Sequence, residues 1–302
     1  MTTLNENPAL TAEPWGEAPA NANRPRGRVA AAALWSVRHW SVVLAGAVLT
    51  VVVLWALAPG WFTSANPIAI GATQRLQPPS AAHWFGTDAL GRDQFARVVY
   101  GSRASLLGSA VAVLVGVLVG SVFGSIAGWF GRWVDAALMR LIDVLLSIPG
   151  FLLAITIVVV LGYGILQAAV AVGITSSATF ARLIRAEVLR ARTSQYVEAA
   201  VAGGARSSTI LLRHVVPNSL GPTLSLVTIQ FGTAIIWIAS LSFLGLGAQP
   251  PSPEWGRLVS DGRDFLASYP FLVLYPALVI VAVVLSANRL ARYFAESRNH
   301  EH

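Results

Sequence analysis

The sequence predicts an all-α, polytopic membrane protein with six transmembrane helices. Hydrophobic residues make up 55% of its 302 residues and charged residues only 12%, whereas a soluble domain carries about 25% charged residues. The mean hydropathy is +0.63. Five stretches contain no Asp, Glu, Lys or Arg, and the shortest is 24 residues long. A water-soluble fold of this length cannot bury so much apolar surface behind so little charge.

Each charge-free stretch holds one predicted span, except residues 144–181, which hold two. A transmembrane helix needs roughly 20 apolar residues, and Gly162 and Gly164 place a tight turn inside this stretch. Pro149 predicts a kink near the start of the third span, because proline lacks the N–H that a helix requires. The six predicted spans cover residues 40–58, 104–128, 143–161, 165–181, 221–246 and 270–288.

The arginines orient these spans. Fifteen of the 21 basic residues, all of them arginine, fall in segments on the side of the N-terminus, and six fall on the other side. Positive residues favour the cytoplasmic side, so both termini are predicted to be cytoplasmic. The predicted order is a partly disordered tail (1–38), an anchor helix (39–60), an extracytoplasmic segment (61–103), a core of five spans (104–290) and a cytoplasmic tail (291–302).

Two absent residue types exclude several functions. Without cysteine the chain has no disulfide, thiolate metal site or cysteine nucleophile. Without lysine it has neither a Schiff base nor the loop G-x-x-x-x-G-K-[ST] that binds nucleotide phosphates. If ATP drives this protein, another chain must therefore bind it. The net charge of +7 is explained by the excess of arginine that membrane proteins carry on their cytoplasmic side. No nucleic-acid partner is therefore predicted.

The predicted spans contain almost no ionisable residue, which disfavours two further classes of protein. Carriers coupled to protons or sodium usually place charged residues in mid-membrane. Membrane proteases need a catalytic pair or an H-E-x-x-H motif, and neither occurs in the spans. No metal site or catalytic residue is predicted, and any path through the protein is expected to be lined by small, hydroxyl and apolar side chains.

The second span carries small residues at every fourth position. Gly116, Gly120 and Gly124 belong to this series, which forms one smooth ridge along a helix. Such a ridge allows two helices to approach closely in lipid. The series predicts tight helix packing, a surface that slides or lines a transport path, or both.

A basic, amphipathic loop lies between the fourth and fifth spans, at residues 182–219. A loop of this length in a compact protein is usually functional, although composition alone favours a helix on the membrane surface equally well. The loop contains Glu-Ala-Ala, three further residues, Gly, nine further residues, and a tetrad ending in Pro. These residues are Glu198-Ala199-Ala200, Gly204 and His214-Val215-Val216-Pro217.

This spacing resembles the E-A-A-x3-G-x9-I-x-L-P motif in permease subunits of binding-protein-dependent ABC importers, although His214 and Val216 replace its Ile and Leu. In that family the loop forms a coupling helix that lies in a groove of the cytoplasmic ATPase. Small alanines suit close seating in a groove, and glycine permits a bend. The resemblance assigns ATPase coupling to Glu198, Ala199, Ala200, Gly203, Gly204 and Pro217.

Further motifs resemble the C-type permease chain of oligopeptide, dipeptide and nickel importers. Residues 83–93 read His-Trp-Phe-Gly-Thr-Asp-Ala-Leu-Gly-Arg-Asp and look like that chain's H-x-x-G-T-D-x-x-G-R-D segment. Further segments of the same C-type chain resemble residues 138–149, 240–247 and 249–256. The likeness covers about residues 35–290.

The resemblance implies a type I ABC importer permease fold in a bacterial inner or plasma membrane. The chain would be the permease subunit of an ATP-driven importer of oligopeptides or dipeptides, and would convert ATPase closure into alternating access. Its partners would be a second homologous permease, two cytoplasmic ATPase domains, an extracytoplasmic substrate-binding protein and the lipid membrane. ATP and Mg would bind the ATPases, so this chain would bind no cofactor and would not be an enzyme.

Three alternatives stay open at this point. The chain could serve nickel or another small solute within the same importer family. A self-sufficient carrier would transport as a purified chain alone, and a membrane scaffold would tolerate substitution throughout residues 182–219.

The first extracytoplasmic segment has three interpretations. Residues 59–103 are punctuated by Gly, Pro and Trp and end in charged residues. They form either a docking surface for the binding protein, or a gate beside the second span, or a solvated loop held by local ion pairs that each contribute little. Trp255, within residues 248–269, is expected to anchor the chain at the membrane interface. No pattern assigns a substrate-contacting residue.

Overall fold

The computed structural model describes residues 40–71, 74–215 and 220–299, and within these ranges it is helical, with one isolated β-bridge and no named strand. The helices are α1 (Trp40–Leu57), α2 (Gln94–Phe130), α3 (Arg132–Ser147), α4 (Gly150–Leu161), α5 (Ile165–Arg192), α6 (Gln195–Ala202), α7 (Ser207–Ile210, continued by a π-helical turn Leu211–Val215), α8 (Leu220–Phe243), α9 (Trp255–Gly262) and α10 (Phe271–Asn299).

Among the described residues, five helices are long and apolar enough to cross a membrane, namely α1, α2, α5, α8 and α10. The pair α3 and α4 makes a sixth if it is counted as one bent span. The predicted all-α fold is confirmed, and its third span is the broken one. The termini of these helices define two ends of the bundle. We call the end that carries α6 the loop end, and the end that carries α9 the opposite end.

The third predicted span, residues 143–161, is not one continuous helix. α3 ends at Ser147, α4 begins at Gly150, and the two helix axes differ by 95°. Ile148 between them is extended, with φ −86° and ψ 132°, because a residue before proline avoids the helical region. The kink predicted at Pro149 is therefore confirmed, but it separates two helices. We call their junction, residues 148–150, the elbow.

α2 is longer than predicted and extends beyond one bilayer. Its 37 residues make it about 55 Å long at 1.5 Å per residue, against a hydrocarbon core of about 30 Å. Asp93 caps its start, with the Ala96 N–H donating to Asp93 Oδ1 over 2.7 Å. Gly131, with φ +62°, ends it. The first turns of α2 therefore belong to the opposite end.

Two apolar clusters hold the bundle together. Phe180 of α5 and Leu241 of α8 lie in the first cluster, where α2, α4, α5 and α8 meet. Trp255 of α9 lies in the second, which joins α1, α2, α8, α9 and α10. The face of α2 that points away from these clusters exposes Leu114 and Leu118, as expected of side chains that face lipid rather than water.

Candidate functional site

The Glu-Ala-Ala motif forms a short helix with one exposed face and one buried face. Glu198 and Ala199 are exposed on α6, whereas Val197 is 4% exposed and packs inward. The Ala205 N–H donates to the Ala200 carbonyl over 3.1 Å, and Gly204 adopts φ +77°. This closure suits glycine, since other residues are strained in the left-handed region. Gly204 therefore ends the helix and leaves its small-residue face free.

An apolar pad lies beneath α6 and connects it to the long helix α5. Val197 packs with Ile184 and Val188 of α5 and with Ile210 and Val215 of the α7 segment. The exposed positions Glu198 and Ala199 and the buried position Val197 lie on one rigid turn of helix. α6 is therefore joined to α5 through this pad.

Residues 182–192 continue α5 and do not belong to a free surface helix. Arg185 Nε and Nη2 donate to the two carboxylate oxygens of Asp135 in α3 over 2.5 and 2.6 Å, a bidentate geometry that fixes direction as well as distance. Arg192 Nη1 donates to the Gly128 carbonyl at the end of α2 over 2.9 Å. The helix α5 is thus fastened to both α2 and α3 at the loop end.

The structure describes some of the remaining predicted loop residues and not others. Gly203 lies in the turn after α6 and is exposed. The backbone of His214 lies in the π-helical turn. Pro217 lies outside the described residues.

The glycine ridge lies in the contact between α2 and α5. A Cβ atom on Gly116 would come within 2.5 Å of Ser176 Oγ, one on Gly120 within 2.5 Å of Phe180 Cβ, and one on Gly124 within 2.5 Å of the Ala181 carbonyl oxygen. Real Cβ atoms do not approach this closely, so the three positions require glycine for the two helices to touch.

The opposite end holds a buried ion network. Asp88 Oδ2 accepts from Arg92 Nε over 2.6 Å and from Arg97 Nη1 over 2.9 Å. Arg97 Nη2 donates to Asp261 Oδ2 over 3.2 Å, which joins α2 to α9. Arg97 is only 1% exposed. These charges are stable inside the protein only while they stay paired, so the segment before α2 is not merely a solvated loop.

Glu254 and Asp261 are the acidic groups on the α9 side of this region. Glu254 is fully buried, accepts the Ser105 hydroxyl over 2.9 Å and caps α9 by accepting the Arg257 N–H over 3.0 Å. Burial raises the pKa of Glu254, against the opposing effect of backbone N–H groups. Burial also raises the pKa of Asp261, against the attraction of Arg257 and then of Arg92. Both carboxyls therefore hold protons more tightly than exposed ones.

Trp255 is a correction to the sequence analysis. It was expected at the membrane interface, but it is 0% exposed and its Nε1 donates to the Val98 carbonyl over 3.0 Å. Its indole is the centre of an apolar cluster rather than a surface anchor. The preceding residue Glu254 and the prolines before it turn the chain back towards α2, and no local pattern reveals that contact.

Sequence reasoning also missed a cavity inside the elbow. It encloses about 300 Å³ and is lined by side chains from α2, α3, α5 and α8 and by the elbow itself. We call it the elbow cavity. The sequence feature that could have indicated this cavity is Gln230, a polar amide in the middle of an apolar span. Polar residues are costly in a membrane and are usually functional there.

Comparison with known sequences finds a family and relatives that are all membrane components of transport systems. Residues 120–300 match the family described as "Binding-protein-dependent transport system inner membrane component". The dipeptide transport system permease protein DppC of Alkalihalophilus pseudofirmus is 39% identical over 296 residues, which cover 96% of this chain and 95% of that protein. The glutathione transport system permease protein GsiD of Escherichia coli is 46% identical over 212 residues, 70% of each chain.

Two solved structures share the fold. An inward-facing MetNI methionine ABC transporter matches with a TM-score of 0.50 and 17% identity, over 65% of this chain and 95% of that chain. A crystal structure of an amino acid ABC transporter with histidines matches with a TM-score of 0.51 and 18% identity, over 67% and 94%. The predicted type I ABC importer permease fold is confirmed by these likenesses, which at such identities concern the fold alone.

Proposed function

This chain belongs to the family of inner membrane components of binding-protein-dependent transport systems, and from this premise we propose that it is the permease subunit of an ATP-driven importer of oligopeptides or dipeptides. The observation that carries the substrate class is the likeness to a dipeptide permease over nearly the whole chain, including the segment that precedes α2. The relative named for glutathione, itself a tripeptide, supports the same class.

The geometry at the loop end supports coupling to an ATPase on another chain. α6 offers a face of small side chains with one carboxylate, Glu198, and its buried side rests on α5. We assign this face to a groove of the ATPase, with a cationic group opposite Glu198. Closure of the ATPases would then move α6 and α5 together, and the bidentate pair of Arg185 and Asp135 would carry α3 and the elbow with them.

The remaining parts of the proposal concern partners and orientation. The loop end would face the cytoplasm and both termini would lie there, in a bacterial inner or plasma membrane. A second homologous permease, two ATPase domains and an extracytoplasmic binding protein would complete the importer. ATP and Mg would bind the ATPases, because this chain lacks the lysine of a phosphate-binding loop, and this chain itself would perform no covalent chemistry.

The test is transport by the assembled complex. The chain is expressed at native level, purified in mild detergent with its associated proteins, and reconstituted in proteoliposomes. Uptake of a labelled dipeptide, of glutathione and of Ni²⁺ is then measured with and without ATP and binding protein. Peptide uptake that requires both is the expected result. Uptake by this chain alone would favour a self-sufficient carrier, and ATP-driven uptake of Ni²⁺ without peptide uptake would reassign the substrate.

A further inference from the structure

The elbow cavity lies where the 95° bend between α3 and α4 leaves space beside α5 and α8. Its hydrogen-bonding walls come from α5 and α8. The side chains that the argument uses are Thr175, Ser176, Thr179, Gln230, Thr233 and Trp237. None of the residues that line it is ionisable. The cavity therefore offers hydrogen bonds without formal charge.

Three of the four hydroxyl groups in the wall are already oriented, and the fourth, on Thr179, makes no hydrogen bond among the described residues. Thr175 Oγ1 donates to the Ala171 carbonyl over 2.9 Å, and Ser176 Oγ donates to the Gly173 carbonyl over 3.0 Å. Thr233 Oγ1 donates in the same way to its own helix over 3.3 Å. Because each proton is directed at a backbone carbonyl, these oxygens can act only as acceptors towards a ligand.

Gln230 is the one amide in the wall of the cavity. It lies near the middle of α8, and its side-chain amide has no hydrogen-bond partner among the described residues. An amide offers both donors and an acceptor. Leaving it unpaired inside a membrane is costly, so a polar ligand is the expected partner.

We propose that the elbow cavity binds the uncharged peptide group of the transported peptide, with Gln230 as donor and acceptor. This inference rests on the proposed function. A side-chain amide matches a peptide group, since each presents an N–H and a C=O. Walls without charge disfavour a charged terminus, which would lose its hydration there without a counter-ion. A volume of about 300 Å³ lies at the lower end of small-molecule pockets, and so suits one or two peptide units.

The elbow forms one wall of the cavity and ties its shape to the loop end. A Cβ atom on Gly150 would come within 2.6 Å of Trp237 Cη2 and 3.1 Å of Thr175 Cγ2. The start of α4 is thus pressed against α8 and α5. Because α3 is fastened to α5 by Asp135, a movement of α5 during ATPase closure would change the opening of the cavity.

A matched pair of thiols tests occupancy. The chain has no cysteine, so Thr233→Cys and Thr228→Cys each introduce the one thiol of this chain, and labelling is read on this chain alone. Both residues lie on α8 and donate to their own helix, Thr228 over 3.1 Å to Leu224, but only Thr233 lines the cavity. In the assembled importer, a labelled dipeptide with binding protein and ATP should slow methanethiosulfonate labelling of Thr233→Cys at least about fivefold and leave Thr228→Cys unchanged. Equal protection at both positions, or protection at neither, would overturn the proposal.

Transport by Gln230→Leu gives an independent measurement. The kcat/KM of dipeptide uptake should fall about tenfold, the loss expected for one or two net hydrogen bonds, with binding-protein-stimulated ATP hydrolysis unchanged. Gln167→Leu, at the start of α5 and outside the cavity, should keep wild-type uptake. If the wild-type importer takes up no peptide, the proposed function fails. If it does, and Gln230→Leu takes up peptide equally well, only the elbow cavity proposal fails. Should Gln230→Leu not assemble, the thiol pair decides.

Discussion

The two ends of the bundle are fastened in different ways. At the opposite end the ionisable groups that join α2 to the α9 region include buried ones, as with Arg97 at 1% exposure and Glu254 at 0%. At the loop end the ion pairs lie closer to the surface, and the side chains of Arg182 and Asp143 are each more than half exposed although their atoms are 2.6 Å apart. Exposed pairs contribute about 0–1 kcal/mol, whereas breaking a buried pair costs about 3–5 kcal/mol.

This difference indicates a division of roles. The opposite end would act as a rigid body, since separating α2 from α9 would break the hydrogen bonds that the buried side chains of Arg97 and Trp255 make to Asp261 and Val98. The loop end can exchange partners at small cost, and its exposed face on α6 is supported mainly by apolar contacts, which tolerate sliding. The proposed function requires this arrangement, with one end that would respond to the ATPase and another that would hold its shape.

The largest effect is expected from breaking the network at the opposite end. Arg97→Ala removes the more buried of the two arginines that join Asp88 to Asp261 and should destabilise the chain by about 3–5 kcal/mol, seen as a lower melting temperature and poor accumulation in the membrane. Arg263→Ala is the matched control, because Arg263 and its partner Asp264 are both largely exposed. Equal stability of the two variants would show that the buried network is not the stronger fastening.

A smaller loss of stability is expected along the ridge that joins the two ends. In Gly120→Ala the new methyl group would lie 2.5 Å from Phe180 Cβ, and such overpacking typically costs about 1–3 kcal/mol. The control is Gly46→Ala on α1, where nothing lies within 4 Å of the added atom. Thermal unfolding in detergent separates the two. A destabilised Gly46→Ala, or an unaffected Gly120→Ala, would contradict the assignment of the ridge to the α2–α5 contact.

The sequence specified the helices better than their contacts. Five charge-free stretches located the spans, and Pro149 located the break between α3 and α4. Local physics controls these features, because apolar length and a missing N–H act within a few residues. The 95° bend could not be predicted, since it depends on how Gly150 meets Trp237 from a distant helix.

The candidate sites show the same limit. The spacing from Glu198 to Gly204 predicted a helix and its end, and both are present. By contrast, Arg97 and Asp261 are 164 positions apart, and no periodicity reveals such a pair. Trp255 was misplaced for the same reason, because aromatic residues near a span end occur both at interfaces and in cores.

Charge reversal on the exposed face of α6 should affect function without affecting stability. Glu198→Arg reverses the charge of an exposed side chain, so its melting temperature should stay within the range of the wild type. Uptake of dipeptide should fall at least about tenfold, with ATP hydrolysis retained. Gly204→Asp should also lower uptake, with some loss of stability, because φ +77° at this helix end favours glycine. Wild-type uptake in both variants would remove ATPase coupling from α6 and would favour a scaffold.

The smallest expected effect is a pH dependence confined to the opposite end. The pKa of Glu254 is raised above its ordinary value of 4.5 by burial, so the folded chain binds this proton more tightly than the unfolded chain. The resulting stability is complete below pH 4.5 and is lost as the pH rises through the raised pKa. The melting temperature should therefore increase as the pH falls from about 8 towards about 5. Glu254→Gln should flatten this dependence, whereas Asp264→Asn, at an exposed carboxylate, should leave it intact. An unchanged slope in Glu254→Gln would mean that another group, with Asp261 the first candidate, titrates in its place.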